Sequence, residues 1–98
     1  MEEIELGWNW EEANKLTKDA GTIAEEVNMD NEFHIHYIDK KILLKYVNDG
    51  SGITILEYNL NDEDDLKLLT KELAGHIIKG YTHCGIKGLN WLLEKGYI

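Results

Sequence analysis

Histidine and cysteine are the side chains of this sequence best suited to metal binding or nucleophilic chemistry. His34 and His36 alternate, so on a strand both rings share one face, and such a pair can bind zinc. His76 and His83 can share a helix face if one helix reaches both, with Cys84 alongside. The sequence has no CxxC, HExxH or carboxylate-rich calcium loop. We therefore predict no metal and no cofactor, with the two strand histidines on the solvent side.

Nucleophilic catalysis needs a Cys, Ser or Thr beside a base and a third orienting group. Cys84 and His83 are neighbours in sequence, which rarely produces that geometry, so a buried or idle thiol is the favoured reading. Neighbouring acids such as Glu11 and Glu12 point apart on a helix. The chain is therefore predicted to have no catalytic residues and not to be an enzyme.

Charge is the most unusual bulk property. The chain has 10 basic and 19 acidic residues, a net charge of −9, and every cation is a lysine. Phosphate contacts need an electropositive face, so direct nucleic-acid binding is disfavoured. A cationic protein partner would instead be attracted. The alternative is that the acidity only keeps a small protein soluble.

The elements that position these residues begin with a predicted long helix. Asn9 can cap it, with Glu12 as the reciprocal partner. Apolar residues then recur at helical spacing from Trp10 to Val27, and Gly21 is a point where the helix could bend or break. Residues 28–32 indicate a polar loop.

Three strands follow in the prediction. "FHIHYI" and "KILLKYVN" flank Asp39-Lys40, which favours a two-residue hairpin. That register pairs Phe33 with Tyr46, Ile35 with Leu44, and Tyr37 with Ile42. After the Asp49-Gly50 turn, "ITILEYNL" is apolar on both faces, and its register is left open because the loop length is ambiguous.

The last third is predicted to be helical. Asn61 or Asp62 can cap a helix whose leucines continue to about Gly80. "THCG" interrupts the pattern, and a short helix around Leu89, Leu92 and Leu93 ends at Gly96. The predicted fold is one α+β domain, residues 1–98, with a three-stranded antiparallel sheet and flanking helices in the order α-β-β-β-α-α.

Location and redox setting follow from the same composition. No segment approaches the ~20 apolar residues of a membrane span, and the acidic N-terminus lacks the order of a signal peptide. A single cysteine excludes an intrachain disulfide. A cytoplasmic protein of a bacterial host cell, without membrane contact, is the expectation.

Acid clusters are the candidate binding surface. Glu25-Glu26 precede the first predicted loop, and Asp62–Asp65 exceed what a helix cap needs. If these clusters converge, a rim of carboxylates could imitate the phosphates of nucleic acid and occupy a basic groove. The simpler reading is that each cluster is a solvated face or cap. Trp8 is either an exposed anchor or a residue that covers the helix end.

The stretch "KYVNDGSGITILEYNLNDEDDLKLL" resembles the strand, Asp-Gly turn, strand, acidic residues and helix of small anti-CRISPR proteins, by which phages inhibit RNA-guided nucleases of the Cas9 class. The resemblance implies that acidic side chains occupy the site that reads the short DNA motif beside the target. Carried over by position, it adds Asp49 and Glu57. The predicted partner-binding residues are therefore Trp8, Glu25, Glu26, Asp49, Glu57, Asp62, Glu63, Asp64 and Asp65.

The predicted function is a non-catalytic acidic inhibitor that binds a basic, nucleic-acid-handling protein, with no direct contact to nucleic acid. The alternative is a small intracellular interaction module that can form a homodimer through Tyr58, Trp91, Leu92 or the sheet edge. In that case the acidity is incidental.

Overall fold

The structure is a computed structural model that describes all 98 residues. Its elements along the chain are β1 (Glu2–Gly7), α1 (Trp10–Thr17), β2 (Gly21–Asn28), β3 (Asn31–Ile38), β4 (Lys41–Asn48), β5 (Gly52–Asn59), α2 (Glu63–Lys79) and α3 (Thr82–Glu94). The strands form one antiparallel sheet in the order β1-β5-β4-β3-β2, so β1 and β2 are its edges. No helix is long and apolar enough to cross a membrane.

The α+β class is confirmed, but the predicted three-stranded sheet and the order α-β-β-β-α-α are wrong. The sheet has five strands, and the order is β-α-β-β-β-β-α-α. Both additional strands lie at the sheet edges. β1 forms in a segment without a predicted element, and β2 forms in the second half of the predicted first helix.

The predicted first helix is the source of one error. Asn9 does cap it, accepting the Glu12 N–H at 3.1 Å, but the helix ends at Thr17. Gly21–Asn28 instead pairs with β3, because its β-branched residues and a tight turn let it extend the sheet. The predicted polar loop at 28–32 is only Met29 and Asp30, with Met29 at φ 59°.

The hairpin of β3 and β4 is confirmed, including the predicted pairs Phe33–Tyr46, Ile35–Leu44 and Tyr37–Ile42. The open register of the next strand is now defined: Val47 pairs with Ile53, and Asn48 pairs with Gly52. Both apolar faces of β5 are covered, since Ile55 is buried on one face and Tyr58 on the other.

Two apolar clusters lie on opposite faces of the sheet. The larger one packs α2 and α3 against Phe33, Ile35 and Leu44. The smaller one packs α1, through the fully buried Ala13, against β4, β5 and β1. Helices therefore pack on both faces of the sheet. On the face of the larger cluster, α3 lies mainly over the edge strand β2.

The helix ends explain where α2 and α3 begin and stop. Asp62 caps α2, and Gly80 ends it in the left-handed region at φ 105°, as predicted. "THCG" does not interrupt the helices for long, because Thr82 already begins α3. At the end of α3, the Tyr97 N–H donates to the Leu92 carbonyl oxygen and the Gly96 N–H donates to the Leu93 carbonyl oxygen. This is the Schellman pattern expected for Gly96.

Candidate partner-binding surface

The sheet register separates the acidic residues into two ends. Because neighbouring strands are antiparallel, Glu2 lies across from Glu57, and Lys41 lies across from Asn59. This end, where α2 also starts, is called the α2-start end. The Asp49-Gly50 turn and the β2–β3 turn lie at the far end.

Carboxylates gather along the β1 edge and around the α2-start end. We call this set the acidic rim. Each member is either exposed to solvent or lies beside the start of α2. The members are Glu2, Glu3, Glu5, Glu57, Asp62, Glu63 and Asp64. Part of the rim surrounds a shallow depression of about 260 Å³ beside Met1 and Lys41.

Asp62 and Asp65 of the predicted site are engaged in local structure. The Asp62 carboxylate accepts the backbone N–H groups of Asp64 at 2.8 Å and Asp65 at 3.2 Å. Asp65 is buried, forms an ion pair with the Met1 amine and accepts the Asn59 N–H. These two hydrogen bonds, the amine first, lower the pKa of Asp65. Asp65 therefore ties β1, β5 and α2 together and is not available to a partner.

Glu57 is half-buried and paired with Lys41 at 2.6 Å. The hydrogen bond to Glu57 is the main reason that the pKa of Lys41 is raised. The pair places one cation among the rim carboxylates and offsets the charge of Glu57.

Five rim carboxylates have no cationic side chain or terminus within 4 Å, and all are exposed. They are Glu2, Glu3, Glu5, Glu63 and Asp64. Successive same-side residues of a strand, such as Glu3 and Glu5, are separated by about 6.6 Å along the strand. That separation is shorter than the ~8 Å Debye length at physiological salt, so their potentials add.

The remaining predicted partner-binding residues do not join the rim. Asp49 lies in the far-end turn, and Trp8 lies between β1 and α1, 54% exposed. Glu25 and Glu26 lie on β2, four strands away from β1. Glu26 accepts the Cys84 N–H at 2.9 Å near the start of α3, and Glu25 approaches His34 at 3.5 Å. These clusters therefore do not converge on one surface, a point that the sequence had left open.

The tryptophans lie near the surface. Trp10, which begins the apolar helical spacing, is 45% exposed although it lies one turn before the buried Ala13. Trp91 is half-buried and lies 5.3 Å from the Tyr37 ring. Tyr58 and Leu92, which the dimer alternative invoked, are core residues with 2% and 1% exposure.

The strand histidines lie together without forming a metal centre. Their rings are parallel at 5.8 Å, but no group of three or more His, Cys, Asp or Glu side chains could hold a metal ion. His36 is buried, contrary to the expected solvent position, and its Nδ1 lies 3.2 Å from Thr22 Oγ1. Burial, with Lys45 nearby, lowers the pKa of His36 to about 4.

The other candidate reactive groups are separated or enclosed. His76 is on α2 and His83 on α3, so no single helix face carries both. His76 is buried against Tyr46, whose hydroxyl donates to Glu72 at 2.9 Å. Cys84 is fully buried, and burial, reinforced by Glu26, raises the pKa of its thiol to about 12.

Sequence reasoning did not place Glu2, Glu3 and Glu5 in the binding site. The usable signal was the alternation Glu3-Ile4-Glu5-Leu6, which has the period of a half-buried edge strand. Ile4 and Leu6 pack on the smaller core while the glutamates remain outside. Comparisons with protein-family models, with curated proteins and with solved structures find no significant match to this chain.

Proposed function

We propose that this chain is a non-catalytic acidic antagonist that binds a basic, nucleic-acid-handling protein through the acidic rim and competes with its nucleic acid. One observation carries the proposal: five exposed carboxylates without cationic partners lie along the β1 edge and the start of α2. An RNA-guided nuclease of the Cas9 class is the first candidate partner.

The local layout supports that candidate and the whole-chain layout does not. The strand, Asp-Gly turn, strand, acids and helix of the anti-CRISPR resemblance correspond to β4, β5 and α2. The resemblance also implied the element order α-β-β-β-α-α, and the complete chain instead has the order β-α-β-β-β-β-α-α. The choice of partner therefore depends on the chemistry of the rim, which would suit a cleft lined by lysine and arginine.

The backbone holds the rim in place. Glu2, Glu3 and Glu5 are attached to a strand paired along its length with β5, and Glu63 and Asp64 are attached to a capped helix. Carboxylates on such elements lose little backbone freedom when a partner binds. The chain would then compete for a basic cleft without first having to order a segment of its own.

Binding to a guide-loaded Cas9-class nuclease tests the proposal. We expect the affinity of the chain for the nuclease to fall steeply as the salt concentration rises from 50 to 500 mM. Over this range salt increasingly screens the attraction between opposite charges. A DNA duplex carrying the motif that the nuclease reads should compete. Interferometry over a panel of such nucleases measures both effects.

Two triple variants, each removing three charges, separate rim chemistry from net charge. In the first, Glu3→Gln, Glu63→Gln and Asp64→Asn neutralise the rim. In the second, Glu11→Gln, Asp19→Asn and Asp30→Asn neutralise exposed acids outside it.

We expect the rim triple to raise the dissociation constant at least tenfold, since each lost contact to a cation costs on the order of 0.5–1 kcal/mol. The control triple should change it less than threefold. Equal effects of the two triples, salt-independent binding, or no binding across the panel would overturn the proposal.

A further inference from the structure

A groove of about 450 Å³ runs between the edge strand β2 and one side of α3, at the sheet edge opposite to β1. Ile23 and Tyr37 form part of its strand wall. A single stripe of α3 forms the other wall, at the positions His83, Ile86, Lys87, Asn90, Trp91 and Glu94. Ile86 is 45% exposed and Tyr37 is 41% exposed, so the groove presents apolar surface to solvent.

The two edges of the sheet are protected differently. β1 carries three glutamates, a common device that prevents an edge strand from pairing with another chain. The first half of β2, from Gly21 to Ala24, carries no charge. A bulge there lets both Ile23 and Ala24 pack toward the larger core, and Ala24–Asn28 pairs regularly with β3.

The α3 stripe is complementary to itself. If a second α3 lies antiparallel beside the first, residues equally distant from the helix midpoint face each other. Ile86 then lies opposite Trp91, Lys87 opposite Asn90, and His83 opposite Glu94. Each pair is apolar with aromatic, or donor with acceptor, and no like charges are directly opposed.

We propose that the groove binds a second copy of this chain, forming a two-fold symmetric dimer in which α3 packs against α3 and the β2 edges lie side by side. A two-fold axis perpendicular to the sheet makes neighbouring edge strands antiparallel and keeps both α3 helices on one face. Such an interface uses the same patch on both subunits.

The midpoints of the helix and the strand coincide, as a single axis requires. The helix pairing places the axis between Gly88 and Leu89. Gly88 lies directly against Ile35, since a Cβ added there would be 2.9 Å from the Ile35 side chain. Ile35 is paired with Ala24, which is near the centre of Gly21–Asn28. One axis therefore passes close to the middle of both elements.

Charge within the α3 stripe does not oppose a second copy at this surface; the like charges nearest the axis are Glu25 and Glu26 of β2, and Glu26 accepts the Cys84 N–H. Lys87 and Glu94 give the α3 stripe no net charge when its histidine is neutral. The net charge of −9 on each copy acts mainly over longer distances, where salt screens it. The rim lies at the other edge, so the dimer would keep its two most acidic surfaces apart.

Sedimentation equilibrium of the full chain between 1 and 200 µM tests the proposal. We expect a mass approaching twice the 11.3 kDa of one chain as concentration rises. Ile86→Lys should weaken dimerisation at least tenfold, because it places two lysines near the axis. Ile78→Lys is the matched control, since Ile78 is 88% exposed on α2 and outside the groove; it should change the dimer constant less than twofold.

A charge exchange tests the pairing itself. Glu94→Lys should weaken the dimer, and adding His83→Glu to it should restore at least half of the lost free energy. Circular dichroism of each variant verifies that it remains folded. A monomer at 200 µM, equal effects of Ile86→Lys and Ile78→Lys, or no rescue by the double exchange would each overturn the proposal. The rim triple should leave the dimer constant unchanged, so this proposal and the proposed function fail independently.

Discussion

At the scale of single residues, the reactive groups of this chain are shielded rather than activated. Cys84 is fully buried, its Sγ lies 3.7 Å from the Phe33 carbonyl oxygen, and its backbone N–H is bound by Glu26. Burial and the neighbouring carboxylate both oppose the thiolate, which is the form that reacts with electrophiles. An isolated cysteine in this position is a packing residue.

We therefore expect Cys84 to be protected from thiol reagents in the folded chain. At pH 8 a thiol whose pKa is raised to about 12 is thiolate only to about one part in ten thousand, and reagent access is blocked as well. A Ser51→Cys variant adds an exposed thiol in the β4–β5 turn as an internal reference. Ellman's reagent should titrate one thiol quickly in that variant and the second only after urea is added. Two fast thiols would show that Cys84 is accessible.

His36 makes the stability of the fold depend on pH. Its pKa is about 4 in the folded chain, against 6.5 for the free side chain, so the unfolded chain binds the proton more readily. The favourable contribution is complete above pH 6.5 and is lost as pH falls toward 4. Lys45 and His34 strengthen this shift, and Glu25 opposes it.

We expect the free energy of unfolding to fall by up to about 2 kcal/mol between pH 7 and pH 5 because of His36. His36→Gln should flatten this part of the pH profile. Asn14→Gln, an exposed substitution on α1 that removes no titratable group, should leave it unchanged. Urea unfolding at several pH values measures both, and identical profiles for His36→Gln and the parent chain would contradict the assignment.

At the scale of elements, Gly85 lies at a close contact between α2 and α3. A Cβ on Gly85 would lie 2.6 Å from the Ile77 side chain and 2.8 Å from the Leu73 carbonyl oxygen. Backbone cannot yield as a flexible side chain can, so the helices must separate to admit a methyl group. Gly75, in the middle of α2, has no heavy atom within 4 Å of the corresponding position.

These two glycines should therefore respond oppositely to the same substitution. We expect Gly85→Ala to destabilise the chain by about 1–3 kcal/mol through overpacking. Gly75→Ala should stabilise it by about 0.5–1 kcal/mol, because alanine has the higher helix propensity. Chemical denaturation of both variants supplies the comparison. A stabilising Gly85→Ala would mean that the helices are not in close contact.

The elements that sequence reasoning predicted correctly are those with a local signal. Asp39-Lys40 and Asp49-Gly50 mark turns, Asp62 marks a helix start, and Gly80 marks a helix end. β2 was bounded only by Gly21 and the polar residues 28–32, neither of which indicates a hairpin. Its hairpin turn places Met29 at φ 59°, a conformation usually signalled by glycine or asparagine. Without that mark, the apolar spacing from Trp10 to Val27 could be read as one helix.

The candidate surface was predictable only in part, because charge is a property of composition while convergence is a property of topology. Asp62–Asp65 were recognised from their number, yet two of the four have structural roles at the start of α2. The neighbouring Glu2 and Glu57 are 55 positions apart in sequence and meet only through the β1–β5 pairing. That pairing requires the chain to return from β5 to its own first strand, which no local pattern signals.

At the scale of the whole molecule, the sheet separates the two proposed surfaces. The acidic rim lies at the β1 edge and the self-complementary groove at the β2 edge. Five strands at about 4.8 Å spacing put the edges about 19 Å apart, which exceeds two Debye lengths at physiological salt. Charge changes on one edge should therefore have little effect on binding at the other.

This separation leads to the expectation that dimerisation and partner binding are additive. Ile86→Lys should abolish the dimer at micromolar concentration while changing the affinity of one chain for one nuclease less than twofold. The nuclease is kept at low surface density in this measurement, so that a dimer cannot bridge two immobilised molecules and gain avidity. Calorimetry should give one binding site per chain for both the parent and the variant. Two results would contradict this expectation: loss of nuclease binding in Ile86→Lys, or saturation at one nuclease per two chains. Either result would mean that the rim and the groove belong to a single interface, so that the free energies of dimerisation and of nuclease binding are coupled.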